Sequence, residues 1–247
     1  MTAGYSGTSI RLELPVLAAG ERATFAAPAA DEAALILLAG DVRWGDRRAT
    51  RPDVFGTPAS AVYLPPGASV DVAADEATEL ALAVTMFGDL HPVEAATPFF
   101  VRPDDVVVHE RGQDGWRRDV HDLVADAVPA QRLIVGETFN APGEWSSFPP
   151  HKHDGRDGEP ALEEVYYYRF DKPDGFGFQG LYDADGEERA IFLRHGAVVG
   201  IPRGYHPVCA APGYGLYYLW ALVGVRRALA MYEDPAHRWL HEMRSAP

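Results

Sequence analysis

The sequence predicts an all-β protein: two successive sets of short antiparallel strands, each a sandwich or small barrel, closed by a short C-terminal helix. Three observations carry this expectation. Apolar or alternating runs recur about every 10 to 15 residues, the spacing of sandwiches and barrels. The 24 Gly and 20 Pro supply the many turns that such strands need. A strand, proline and glycine phrase occurs twice, as Tyr63-Leu64-Pro65-Pro66-Gly67 and as Val199-Gly200-Ile201-Pro202-Arg203-Gly204, which suggests one unit used twice. With 247 residues, 47% of them hydrophobic and 23% charged, the chain can bury a sizeable core, so disorder is excluded.

The first series comprises AALILLAGDVRW from residue 33, SAVYLPPGASVDVAA from 60 and TELALAVTMFG from 78, separated by Gly, Pro and Asp clusters. Residues 91–127 mix prolines, charges and a candidate short helix near 119–127, and the boundary between the halves is placed there. The second series runs through QRLIVGETFNA from 131, EEVYYYRFD from 163, GFGFQGLYDADG from 175, RAIFLRHGAVVGIP from 189 and GYGLYYLWALVG from 213. A final helix is expected from Asp234, because Asp-Pro provides an N-cap followed by proline at the first helical position.

Charge and cysteine content narrow the function. Twenty-two basic against 36 acidic residues leave a net charge of -14, which repels phosphate backbones and anionic membranes. Nucleic-acid and membrane partners are therefore not expected. Cys209 is the only cysteine, so an intrachain disulfide and a cysteine-rich zinc motif are both excluded. Its position three residues after His206 reads as a small buried hydrophobe. The N-terminal stretch lacks a basic region followed by an apolar one, and no segment reaches the roughly 18 apolar residues of a membrane span. A cytoplasmic location is expected.

The chemistry concentrates in the second series. In Pro149-Pro150-His151-Lys152-His153, residues i and i+2 of a strand share a face, so His151 and His153 can offer two imidazoles to one ion while Lys152 points away. Glu164 opens the next strand and could supply a carboxylate. Its neighbour Glu163 competes, because alternation sends only one of the two inward. Farther on, a Pro-x-Gly turn returns the chain with His206. Three neutral imidazoles and one carboxylate suit zinc, manganese, iron or nickel, with positions left open for water or a chelating substrate.

His151-x-His153, Glu164 and Pro202-x-Gly204-x-His206 resemble the two motifs of the cupin superfamily, a small antiparallel β-barrel with its metal inside. The surrounding residues are narrower. Asn140 through Asp154, Leu162 through Phe170, Gly204 through Val208 and Pro212 through Leu219 closely resemble the 5-deoxy-glucuronate isomerase (IolB) family of myo-inositol catabolism. The resemblance implies a bicupin, with a metal-free barrel over residues 1–105 and a metal-binding barrel over 106–247. It implies His151, His153, Glu164 and His206 as ligands of one divalent ion, zinc first, and selects Glu164 over Glu163. It also implies an aldose–ketose isomerisation of 5-deoxy-D-glucuronate to 5-dehydro-2-deoxy-D-gluconate.

The proton-transfer base is left open by the sequence, as is a hydride shift. Tyr166 and Tyr168 share the parity of Glu164 and are the catalytic candidates, as tyrosinate or by holding a hydroxide. Gln179 and Arg203 are the substrate-binding candidates, the latter as a carboxylate clamp. Lys152 and Arg169 are expected to face away from the metal and pair with acids, and His237 and His241 to be surface residues. Trp145, Ser146 and Ser147 shape a turn or touch substrate. Two rivals stand beside the isomerase: an oxygen-requiring cupin dioxygenase, and a sugar-acid-binding barrel without activity. Exposed sheet edges would suit a homo-oligomer.

Overall fold

Strand pairing in the computed structural model, which describes residues 4–91 and 97–245 (the last four by backbone alone), separates the two series. Ten strands up to Phe99–Val101 hydrogen-bond into one sheet. Its main path runs Gly4–Ser6, Ile10–Glu13, Thr78–Thr85, Ala33–Trp44, Ala61–Leu64, Phe99–Val101. In the second half a six-stranded sheet runs Val107–Arg111, Arg118–Val124, Leu133–Asn140, Leu216–Val223, Glu163–Phe170, Val198–Ile201. A four-stranded sheet follows the order Trp145–Ser146, Val208–Ala210, Phe176–Tyr182, Glu188–Arg194, and His151–Lys152 pairs with Tyr232–Glu233. Every pairing among the described strands is antiparallel.

Alternation explains why the central strands read as unbroken apolar runs. From Ala33–Trp44, Leu35 and Leu37 join a core confined to the first half, while Ala34, Ile36 and Leu38 join a second core between the halves. From Glu163–Phe170, Val165 and Tyr167 enter that shared core, and Tyr166 and Tyr168 enter a third core within the second half. Both faces of each strand are thus covered, and each fully buried aliphatic side chain contributes about 1.5–3 kcal/mol.

The duplicated phrase occupies equivalent places. Leu64 pairs with Ala33 and Ile201 with Glu164, and each strand leaves its sheet through a glycine in the left-handed region, Gly67 at φ 79° and Gly204 at φ 82°. A Cβ on Gly204 would lie 2.6 Å from the Tyr182 carbonyl oxygen, so the turn excludes side chains there.

Buried carboxylates bind the halves together. Glu32 accepts from the Tyr63 hydroxyl and the backbone N–H groups of Gln131, Arg132 and Leu133. Glu163 accepts from the Tyr5 and Thr8 hydroxyls and the N–H groups of Thr8 and Ser9. Arg51, with its side chain 1% exposed, forms a bidentate pair with Glu137, which also accepts from the Tyr217 hydroxyl.

Two local expectations change. The candidate helix near 119–127 is instead largely the strand Arg118–Val124, because its alternating Arg118, Val120 and Asp122 present one face to the interior. The final helix is a 3-10 helix, Pro235–Ser245, whose start is capped by Asp234 Oδ1 accepting from the Ala236 N–H at 2.9 Å. Among the described residues no helix is long and apolar enough to cross a membrane.

Candidate metal centre and its cavity

His151 and His153 sit at the two-residue strand joined to Tyr232–Glu233, with their rings on one side at a centroid separation of 5.1 Å. The turn through Gly204 brings the His206 ring to 4.8 Å from His151 and 5.5 Å from His153. One ring nitrogen from each of the three lies within 4.8 Å of the others, and all three residues are buried.

Backbone carbonyls select the tautomers. His206 Nδ1 donates to the Gly204 oxygen at 3.0 Å and His153 Nδ1 to the Ala230 oxygen at 3.3 Å, while the His151 ring bonds to the Pro149 backbone. Both His153 and His206 therefore present an Nε2 lone pair inward, the arrangement that orients metal-ligating histidines. Burial lowers all three ring pKa values, His153 to about 4 and His206 to about 3, so the imidazoles are neutral.

Glu164 lies outside this three-histidine group but approaches one of its rings. Its Oε2 lies 3.3 Å from His206 Nε2, yet both atoms are buried without a hydrogen-bond partner. Two acceptors turned toward each other are costly unless a proton or a metal cation lies between them. Burial pushes the Glu164 carboxyl up to about 8, and the Tyr166 hydroxyl offsets only part of that rise. The donor set, with nitrogen and oxygen atoms and no thiolate, fits a divalent zinc, manganese, iron or nickel ion. Glu163, on the opposite face, is saturated by the Tyr5–Ser9 segment.

A cavity of about 290 Å³ opens beside the histidines. The register of the six-stranded sheet explains its wall. Glu164, Tyr166 and Tyr168 share a face with Leu222, Trp220 and Tyr218, with Ile134, Gly136 and Thr138, with Asp122, Val120 and Arg118, and with His109 and Arg111. Gly136 is required here: a Cβ would lie 2.2 Å from the Trp220 ring, which crosses it to donate from Nε1 to Thr138 Oγ1 at 3.0 Å. Arg118 reaches the Trp116 and Phe148 carbonyls, and its charge helps to lower the His151 pKa.

The sequence-derived candidates fall into two groups. His151, His153, Glu164 and Tyr166 line the cavity, with Tyr166 3.1 Å from Ser147 Oγ. Tyr168 and Gln179 bond each other at 2.8 Å and do not line it. Arg203 lies outside the cavity at the surface, held by Asp183, Asp185 and Glu187. Burial pushes the Tyr166 and Tyr168 phenols well above their usual pKa.

Several other residues are also placed. Lys152 points away from the histidines and pairs with acids, but it is 4% exposed and wrapped by Asp154, Asp157 and Glu159 rather than lying on an exterior. Arg169 faces away and pairs with Glu79 of the first half. Ser147 lines the cavity, Ser146 accepts from the Tyr218 hydroxyl, and Trp145 is exposed. His241 pairs with Glu233 at the surface, and His237 lies 3.9 Å from Asp234. Cys209 is half-buried. Sequence reasoning missed His109, Arg111, Arg118 and Asp122. Their period-2 spacing was the available signal, in a segment that also looked like a linker.

The chain is similar to known proteins along nearly its whole length. It is 35% identical over 226 residues to the 5-deoxy-glucuronate isomerase of Geobacillus kaustophilus, covering 87% of this chain and 80% of that protein. It is 36% identical over 200 residues to that of Bacillus subtilis strain 168, covering 78% and 71%. The crystal structure of an IolB-like protein from Salmonella typhimurium LT2 superposes with a TM-score of 0.84 at 31% identity, covering 97% of this chain and 94% of that one. An oxalate decarboxylase from Lactobacillus farciminis shares the fold at a TM-score of 0.67 and 14% identity, over 98% of this chain and 82% of that one. The model of the KduI/IolB family matches residues 2–240, and the chain belongs to that family.

Proposed function

We propose that this protein is a metal-dependent aldose–ketose isomerase that converts 5-deoxy-D-glucuronate to 5-dehydro-2-deoxy-D-gluconate in myo-inositol catabolism. The relatives named 5-deoxy-glucuronate isomerase support the reaction. The observation that carries the metal is the pair of buried, unpartnered atoms, Glu164 Oε2 and His206 Nε2, facing each other at 3.3 Å. His151, His153, Glu164 and His206 would hold one divalent ion, zinc first, with manganese, iron or nickel also suited to the donors. Such an ion supplies Lewis acidity at the carbonyl end of the sugar.

The chain's own residues then divide the work. The neutral Tyr166 hydroxyl, beside Ser147, donates to a sugar oxygen instead of abstracting a proton. Arg118 and Arg111, on the cavity wall, face the carboxylate end and offer it paired N–H donors in a chain of net charge -14. Tyr168 and Gln179 act one step back, as support for Tyr166, whose ring is 5.9 Å from that of Tyr168. Arg203, with its charge met by three carboxylates, recruits acidic substrates weakly at most.

The same reading takes the two sets of sheets as two cupin barrels dividing between residues 105 and 106, the first without metal, in a cytoplasmic protein. Homo-oligomers would form through uncovered edges such as Val107–Arg111, where Val107 and Val108 are about half exposed. Metal analysis of purified protein, coupled to an anaerobic assay with 5-deoxy-D-glucuronate, tests the function. One bound ion per chain and turnover without oxygen are expected. Consumption of substrate only with oxygen, or binding without conversion, would overturn the isomerase.

A further inference from the structure

We infer that His109, held by Asp122, is the base that carries the proton between the two carbons of the isomerised sugar. The inference rests on the isomerase reading and supplies the group that the sequence leaves unnamed. His109 and Asp122 come from neighbouring strands, Val107–Arg111 and Arg118–Val124, and both line the cavity that contains His151, His153 and Glu164. His109 pairs with Val120 in the register, which puts Asp122 on the adjacent diagonal of the same face. His109 Nε2 donates to Asp122 Oδ2 at 2.9 Å. That bond fixes the tautomer and leaves Nδ1 as the lone-pair nitrogen, with no hydrogen bond among the described residues. The logic is that of a carboxylate-oriented imidazole base.

Elimination among the cavity groups leads to the same residue. The Tyr166 hydroxyl is engaged with Ser147 and the Tyr218 hydroxyl with Ser146, and Arg111 and Arg118 are permanent cations. Ser147 and Thr138 carry hydroxyls with no adjacent base. The side chain of His109 is 36% exposed, so it sits toward the cavity mouth with room for a substrate edge, and the charged groups sharing its wall are Asp122, Arg111 and Arg118. The step balances without any redox partner. Nδ1 takes the C2 proton as the C2–H pair becomes the C1–C2 double bond and the carbonyl pair moves onto O1. The hydroxyl proton passes from O2 to O1, and the imidazolium, open to solvent at the cavity mouth, exchanges its proton with the medium before protonating C1 as the C2 carbonyl forms.

The test compares wild type, His109→Gln and Asp122→Asn in D₂O, with metal content and melting temperature measured on each. Wild type should place solvent deuterium on the hydroxymethyl carbon of the product. His109→Gln should lower kcat at least about 100-fold with KM within about threefold and metal content unchanged, the range for a lost general base. Asp122→Asn should lose about tenfold or more, because the amide no longer enforces the tautomer. Product free of solvent deuterium, or a His109→Gln enzyme within tenfold of wild type, overturns the assignment. If His109→Gln fails to fold, the deuterium result and Asp122→Asn decide. An active wild type abolished by His151→Ala but indifferent to His109→Gln sinks the base alone. An inactive, metal-loaded wild type sinks the isomerase and the base with it.

Discussion

The two halves use one strand plan with opposite interiors. Ala33 lies between Leu64 and Val84, and Glu164 between Ile201 and Leu222. Two residues on, Leu35 faces Val62 and Leu82 where Tyr166 faces Val199 and Trp220, and next Leu37 faces Leu80 where Tyr168 faces Tyr218. Immediately before these positions the halves agree: Glu32 and Glu163 each accept backbone N–H groups from the segment that leads into a strand of the other half. The seam is therefore duplicated while the interior has diverged. A few inward side chains distinguish a purely apolar core from a polar cavity, and the surrounding backbone is shared.

The sharpest way to break this comparison is to remove the metal, because only the second interior should respond. Stripping with a chelator should abolish activity and lower the melting temperature by at least about 5 °C, a ligand-linkage effect. In the stripped protein Glu164 rises from 4.5 to about 8, which withdraws stability as pH increases through that window. His153 and His206 fall from 6.5 to about 4 and 3, which withdraws stability as pH decreases below 6.5. The stripped protein should thus be most stable near pH 6.5 and the loaded protein should show a flatter profile, as melting curves against pH would reveal. Glu164→Ala should be inactive, yet above pH 8 the stripped variant should melt no lower than stripped wild type, since an unpartnered buried carboxylate has gone.

The reciprocal exchange probes the first half. Ala33 is fully buried and belongs to the hydrophobic core of the first half. Ala33→Glu should therefore destabilise the protein by about 3–5 kcal/mol, the scale of an uncompensated buried charge. Urea unfolding measures it, and a loss below about 1 kcal/mol would mean that the first interior tolerates charge as the second does.

What was legible in the sequence follows the same division. The strand plan could be read because period-2 patterning and the two Pro-x-Gly phrases are local signals. The histidine pair and His206 could be read because strand parity and a turn place them. Glu163 against Glu164 could not be settled by spacing alone, since the deciding fact is the Tyr5–Ser9 segment, more than 150 positions away, that occupies Glu163. Arg203 was misleading for a related reason: its partners Asp183, Asp185 and Glu187 belong to another hairpin. His109 and Asp122 were hidden in a segment whose prolines and charges resembled a linker.

The seam itself offers a finer comparison. Glu163→Gln and Glu32→Gln each replace a carboxylate by an amide whose N–H₂ end confronts donors, so each should cost about 1.5–3 kcal/mol of stability. Their functional effects should differ. Glu163 adjoins Glu164 on one strand, so its loss should weaken metal affinity about 10- to 100-fold, as does loss of a group that orients a ligand. Glu32→Gln should leave metal affinity within about twofold. Equal effects on affinity would show that the halves are coupled as a rigid whole and not residue by residue.

The smallest effect separates two tyrosines in the divergent interior. Tyr166→Phe removes a hydroxyl in the cavity and should lower kcat about tenfold or more. Tyr168→Phe removes only the donor to Gln179 Oε1, at a position where the first half places Leu37. It should cost about 1 kcal/mol in unfolding and leave kcat within about threefold, because Gln179 Nε2 already lacks a partner in this deep part of the core. A kcat loss for Tyr168→Phe equal to that for Tyr166→Phe would place the working end of the cavity one strand pair deeper. The Leu37-to-Tyr168 difference would then be functional, and the pairing of Tyr168 with Gln179 would belong to catalysis instead of support.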